Sequence, residues 1–249
     1  VEKRPEFKPQ MAVCTPMRVL KNDQGMEYME PITMLWHRAM KMLMVPMGYN
    51  CGEIIIDGHE IGEARNQAIE EALSLKLKYV CFIDADTIPP QNGLQLLTYQ
   101  LDNNPEYDIA GGVYTQKEIP AVPLIWKGWG DGVFLDWTLG DVLKEGIVGC
   151  GTGCMLVRMS LFERLKHTED NPWFCTATGY LEDGGAQFEW NMSDDLWFCK
   201  RAVEEAGAKI LIDTNVYCQH IDWRTGTIYQ LANDALPVRR LAEKLGESA

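Results

Sequence analysis

Apolar positions along this chain follow two rhythms, one of strands and one of helices. Residues 11–14 form a short apolar run closed by Thr15-Pro16, which predicts a first buried strand ending there. Over residues 31–45, Ile32, Leu35, Trp36, Ala39, Met40 and Leu43 recur at helical spacing, and Pro46 ends the run. Residues 53–57 are β-rich, and 62–76 place Ala64, Ala68, Ile69, Ala72 and Leu73 on one helical face. Residues 78–84 are a continuous apolar run ending in acid, the pattern of a strand buried on both faces. A helix over 93–101 and a strand over 107–114 follow. This alternation predicts an α/β fold with a mostly parallel sheet and helices on both faces.

The second half is less regular. Residues 115–150 are rich in Gly, Trp and Pro and read as loops with short antiparallel strands. A strand resumes over 148–157, and Ser160 caps a helix to about residue 166. Residues 167–192 have little periodicity and read as a long loop, a kind that is usually functional. Ser193 then caps a helix with two acids in its first turn, closed by Gly207. The last strands fall at 209–212 and 216–221.

Composition narrows the classes of partner. The chain has 249 residues, 46% of them hydrophobic, which supplies a sizeable core and excludes disorder. Lys plus Arg number 23 against 36 Asp plus Glu, a formal charge of −13. Such an excess disfavours nucleic acid, whose affinity comes largely from Lys and Arg, but permits one small phosphorylated ligand. Of the eight cysteines, Cys81, Cys154 and Cys199 sit in or beside apolar runs, and no CxxC pair exists. Buried free thiols in a reduced, cytoplasmic protein are therefore expected. No leader-like segment opens the chain, and no stretch approaches the roughly 18 apolar residues of a membrane span.

The chemistry concentrates at Ile83-Asp84-Ala85-Asp86. Two carboxylates spaced i, i+2 at a strand end point to one side, and ligands of open α/β sheets bind beyond such ends. Two hard oxygens there suit Mg²⁺ or Mn²⁺. The simpler alternative is that acids merely end a strand and cap its turn. Arg65 has a similar pair of readings. It can be a solvated helix-start residue, but arginine fits poorly beside a positive helix end, which favours an anionic partner.

Four motifs in order carry a family resemblance: Gly62-Glu63-Ala64-Arg65-Asn66, the YVCFIDAD run, SDDLWFCKRAVEEAG and the Val216–His220 strand. Together with GTGCMLVRMSLFERL, they resemble GT-A-fold, Rossmann-like glycosyltransferases of the family-2-like group, over residues 60–220. The resemblance implies a donor that is a nucleotide-diphosphate sugar, a hydroxyl acceptor, and a divalent cation, Mn²⁺ or Mg²⁺. Thr15 and Pro16 would line the base and ribose pocket, Arg65 would reach the base or diphosphate, and Asn66 would hold that loop. Asp84 would contact ribose or metal, Asp86 would bind the metal, and His220 would complete its site. Asp195 would be the general base, with Asp194 at the position usually held by Glu. Residues 1–10, with two prolines and mixed charges, read as a loose tail, and the resemblance implies a single domain over 11–222, with a donor half over 11–114 and an acceptor half over 115–222, followed by a helical extension over 223–249.

Alternatives remain at this level. Asp194 and Asp195 can be plain helix caps, and His220 a packed core residue. A sugar-phosphate nucleotidyltransferase would want a glycine-bearing basic loop after the first strand, where Met17-Arg18-Val19-Leu20-Lys21 lacks glycine. A non-catalytic nucleotide-sugar-binding module is the third reading. Inversion and retention both stay open. The run from Gly149 to Cys154 mimics a dinucleotide fingerprint but precedes a strand. Trp126, Trp129, Trp137, Trp173 and Trp190 fall in loop-like stretches, where aromatic faces could stack on sugar CH groups.

Overall fold

The computed structural model describes residues 8–58, 60–183 and 186–231. The elements run β1 (Met11–Lys21), β2 (Glu27–Met29), α1 (Met34–Met42), β3 (Cys51–Gly58), α2 (Ile61–Ser74), β4 (Tyr79–Ile83), β5 (Thr87–Ile88) and α3 (Gly93–Asn103). They continue with β6 (Ile109–Val113), β7 (Ile125–Trp126), β8 (Val142–Leu143), β9 (Gly149–Cys150), β10 (Cys154–Arg158) and α4 (Ser160–Arg164). Last come β11 (Ala177–Asp183), β12 (Ala186–Met192), α5 (Asp194–Ala206), β13 (Ile210–Tyr217), β14 (Gln219–Ile221) and β15 (Ile228–Tyr229).

The main sheet has the order β3-β1-β4-β10-β6-β13-β8, with β2 added to the far end of β1. Pairing is parallel for β3-β1, β1-β4 and β6-β13, while β10 runs antiparallel between β4 and β6. This is the expected α/β architecture, a mostly parallel mixed sheet between helical layers. Period-two alternation builds both cores at once. Ala12, Cys14, Val80 and Phe82 enter the core under α2 and α5, while Met11, Val13, Tyr79, Cys81 and Ile83 face α3.

Three expectations change. β1 passes through Thr15-Pro16 to Lys21, because its pairing with β4 ends at Cys14 and proline beyond that point costs no ladder bond on that side. Helix α1 begins only at Met34, after Thr33 accepts from the Trp36 N–H at 3.1 Å, and of its apolar face only Trp36 is buried. The stretch expected as one long loop contains the buried residues Trp173 and Phe174, followed by the β11-β12 hairpin. Of the expected C-terminal helical extension, residues 223–231 form a turn and β15, while 232–249 lie outside the described residues, as do 1–7 and His59. All eight cysteines are free thiols, six of them buried.

Aromatic rings fasten α5 to this frame. Phe198 stacks on Phe174 (4.3 Å, 20°) and on Phe162 (5.6 Å, 22°), and Phe174 meets Phe82 of β4 edge-on. The start of α5 is thereby held against the end of β4. Phe198→Ala is expected to destabilise the fold by about 3–5 kcal/mol, read from the urea midpoint, since it empties a fully buried site.

Candidate active site

A cleft of about 170 Å³ opens along the second half of β1 and beyond the carboxyl end of β4, with the first turn of α5 also lining it. Pro16, Arg18, Glu30, Arg65, Asp84, Asp86, Tyr114, Thr152, Ser193, Asp194 and Asp195 are among the residues lining it. This is where ligands of such sheets bind. The expected carboxylates therefore do meet at one place, but they fall into two separately organised groups.

The first group centres on Arg65, whose side chain is only 3% exposed. Its Nη2 donates to Asp84 Oδ1 at 2.6 Å and its Nη1 to Asp194 Oδ2, while its plane lies 5.7 Å from the Phe174 ring centroid. Burial alone would weaken the guanidinium's charge, but Asp84 and Asp194 outweigh it and raise its pKa. The anionic partner expected of Arg65 is thus a pair of the chain's own carboxylates. Asp195, next along the helix, accepts from the Leu196 N–H at 2.8 Å and from the Ser193 hydroxyl, both at Oδ1. Burial, then the neighbouring Asp194, push the Asp195 carboxyl above the usual aspartate range.

The second group centres on Asp86. Its Oδ2 lies 2.6 Å from Lys117 Nζ and 3.2 Å from His220 Nε2. Burial raises this carboxyl, but His220 and Lys117 more than offset that and hold it at about 2. His220 Nδ1 donates to the Thr115 carbonyl at 2.8 Å, which fixes the ring so that Nε2 is the nitrogen facing Asp86. The Tyr114 hydroxyl reaches Nε2 at 3.1 Å, and its ring lies 4.5 Å from the imidazole. A β-carbon on Gly153 would come within 2.6 Å of that ring, and one on Gly151 within 2.7 Å. The glycines of the false fingerprint thus make room for Tyr114, which in turn supports His220.

Among the described residues no three His, Cys, Asp or Glu side chains converge on one cation position. Asp84 is turned to Arg65, leaving Asp86 and His220 as the pair that shares a face. Thr15 and Pro16 point to opposite sides of β1. Pro16 lines the cleft, whereas Thr15 lines a separate cavity of about 520 Å³ with Val13, Trp36 and Ile55. Asn66 is not at the cleft wall; its amide clasps the Phe174 backbone, donating to the carbonyl at 2.8 Å and accepting from the N–H at 2.9 Å. Trp137 and Trp173 are core residues, while Trp126 and Trp129 are half-buried around Gly149, beside Leu196.

The sequence reading missed Tyr114, Lys117, Arg18, Glu30 and Ser193. Tyr114 follows directly on β6, so for it the rule that ligands bind beyond strand carboxyl ends was the available signal. Trp36 was read only as core, yet its indole N–H donates to the Asp84 carbonyl at 2.8 Å and fixes the acidic turn.

Solved structures share this fold. The protein is similar to A197 from STIV, with 14% identity, a TM-score of 0.58, and 90% of this chain and 95% of that chain covered. It is also similar to S. aureus TarS at 11% identity and a TM-score of 0.49, covering 90% of this chain but 37% of that one. A structure of TarS 1–349 in complex with UDP-GlcNAc aligns with a TM-score of 0.44 and 11% identity over 82% of this chain and 55% of that one. The chain thus spans less than two thirds of either TarS chain. No family model matches the sequence, and neither does any curated protein. The likeness to A197 extends over nearly the whole of both chains and bears on the fold alone. No helix among the described residues is long and apolar enough to cross a membrane.

Arg65→Met removes the cation that bridges the buried Asp194 and the part-buried Asp84. It is expected to cost about 3–5 kcal/mol in denaturant unfolding. A loss below ~1 kcal/mol, the size of an exposed pair, would show that the cluster does not hold the site together.

Proposed function

We propose that this chain is a metal-dependent glycosyltransferase that moves a sugar from a nucleotide-diphosphate donor to a hydroxyl acceptor. One observation carries the reading: two carboxylates on one cleft have different surroundings, Asp86 with its Oδ2 3.2 Å from His220 Nε2 and 2.6 Å from Lys117 Nζ, and Asp195 beside Asp194 with its Oδ1 held by the Ser193 hydroxyl and the Leu196 N–H. Carboxylates separated in this way have separate tasks. Asp86 stays ionised as a cation ligand, and Asp195 is tuned toward proton transfer.

Asp86 and His220 would hold the divalent cation. The donor set fits, because one carboxylate oxygen and one imidazole nitrogen with its other nitrogen anchored face each other at 3.2 Å. When bound, Mn²⁺ or Mg²⁺ would stabilise the negative charge that gathers on the departing diphosphate. Asp84, fixed by Arg65 and by the Trp36 indole, would face the donor's ribose, with Pro16 and Arg18 on the nucleotide side. A cleft of about 170 Å³ is below the roughly 300–1,000 Å³ of typical small-molecule sites, so the donor would extend along the rim at Arg18 and Glu30.

Asp195 would be the general base. Ser193 and the Leu196 N–H both donate to Oδ1, which leaves Oδ2 to take the acceptor's proton as its oxygen bonds to the anomeric carbon. The bond from that carbon to the diphosphate breaks in the same displacement, and the configuration inverts. Trp126 and Trp129, close to Leu196, would offer aromatic faces to the acceptor.

The decisive measurement is donor cleavage across a panel of nucleotide sugars, with and without Mn²⁺, followed by acceptor transfer. Asp86→Ala is expected to lower metal-dependent turnover about 100-fold; undiminished turnover would remove Asp86 from the metal site. Pyrophosphate release from a nucleoside triphosphate and a sugar phosphate would favour the nucleotidyltransferase reading instead.

The pH dependence tests Asp195. Only the ionised carboxylate accepts a proton, so activity is present above its pKa and lost as the pH falls through it. The acid limb of kcat/KM should lie above the ordinary aspartate value of about 3.9. A rate that stays level down to that value would assign the base elsewhere.

A further inference from the structure

We infer that Lys117 is a tethered cation that occupies the metal-binding oxygen of Asp86 before a divalent ion arrives, and that the two compete for it. The inference rests on the reading of Asp86 and His220 as the metal pair. The Lys117 ammonium and the His220 Nε2 address the same oxygen, Asp86 Oδ2, at 2.6 and 3.2 Å. A divalent ion bound to that oxygen would stand against an ammonium at hydrogen-bond distance, and two cations so close repel strongly in a partly buried site. Lys117 must therefore leave when the ion enters.

The chain around Lys117 is built to let it leave. The base of its loop is pinned by Leu124 N–H to the Tyr114 carbonyl (2.8 Å), Gln116 N–H to the Val122 carbonyl (3.0 Å) and a Thr115–Pro123 bridge. Thr115, within that pinned base, supplies the carbonyl that orients His220. The tip is open: Lys117 and Glu118 are exposed, and Ile119 is 87% exposed. Swinging the lysine out therefore needs no change at the histidine. A diphosphate brings compensating negative charge to the same place and gives the released ammonium a new partner. Cation and diphosphate should consequently load together, each favouring the other by linkage.

Direct binding of Mn²⁺, followed by electron paramagnetic resonance of the free ion, tests this without any turnover. Wild type should bind Mn²⁺ weakly alone and more tightly with inorganic pyrophosphate. Lys117→Gln should bind Mn²⁺ alone about tenfold more tightly than wild type. Lys117→Arg, which keeps the charge, should behave like wild type and controls for a disturbed loop. Equal or weaker Mn²⁺ affinity in Lys117→Gln, with binding still abolished by Asp86→Asn, would overturn the competition and leave the metal pair standing. Absence of Mn²⁺ binding in every variant, with or without pyrophosphate, would overturn both the competition and the metal pair.

Discussion

One of the two groups that build the site is organised around a single buried guanidinium. Arg65 is on α2, Asp84 follows β4 and Asp194 opens α5, so three elements distant in sequence meet at a single charged group. A buried charge without partners is far more costly than the pair is favourable, which makes these contacts obligatory. Arginine suits the task because its planar fork fixes two terminal nitrogens in set directions, one for each carboxylate. The Phe174 and Phe198 stack beneath it excludes water and keeps the α5 N-terminus from drifting. With Asp194 committed to Arg65, the adjacent Asp195 is the carboxylate that the proposed reaction would use. Burial, then the neighbouring Asp194, raise its pKa.

A second constraint is the excess of acid. The chain carries a formal charge of −13, and five of its acids line one cleft. Two of the five share Arg65 and a third is paired with Lys117 and His220, so the cleft is less hostile to an anion than its composition implies. The proposed diphosphate donor would need positive charge turned toward it. Arg65 is locked in place, whereas Lys117 stands on an exposed loop tip. The adjustable cation is therefore the one beside Asp86.

What was legible in the sequence follows from how local each signal is. Strands buried on both faces declare themselves as continuous apolar runs, and β4 and β10 fall where those runs are. The acidic turn, α2 and the first turn of α5 were equally readable, because their spacing is fixed by the backbone. The β11-β12 hairpin was not, since its sequence, with Gly179, Glu182, Asp183, Glu189 and Asn191, lacks a clean alternation. Thr15 and Pro16 look equivalent as neighbours, yet adjacent strand residues face opposite sides, and only Pro16 reaches the cleft. Asn66 was read as holding a loop, and it does hold one, the segment at Phe174. Lys117 could be found only once the loop after β6 was folded over Asp86, because no periodicity links residues 86 and 117.

The antiparallel strand β10 explains why the false dinucleotide fingerprint exists at all. Inserted between β4 and β6, it must begin at the end of the sheet where those two strands finish, so the turn before it lies under the cleft. That turn also lies under Tyr114, the first residue after β6. Any side chain at Gly151 or Gly153 would strike the Tyr114 ring, and the ring would have to leave His220. Two glycines are thus required by a tyrosine, the tyrosine steadies a histidine, and the histidine faces Asp86. The glycines set the floor on which Tyr114 and His220 rest.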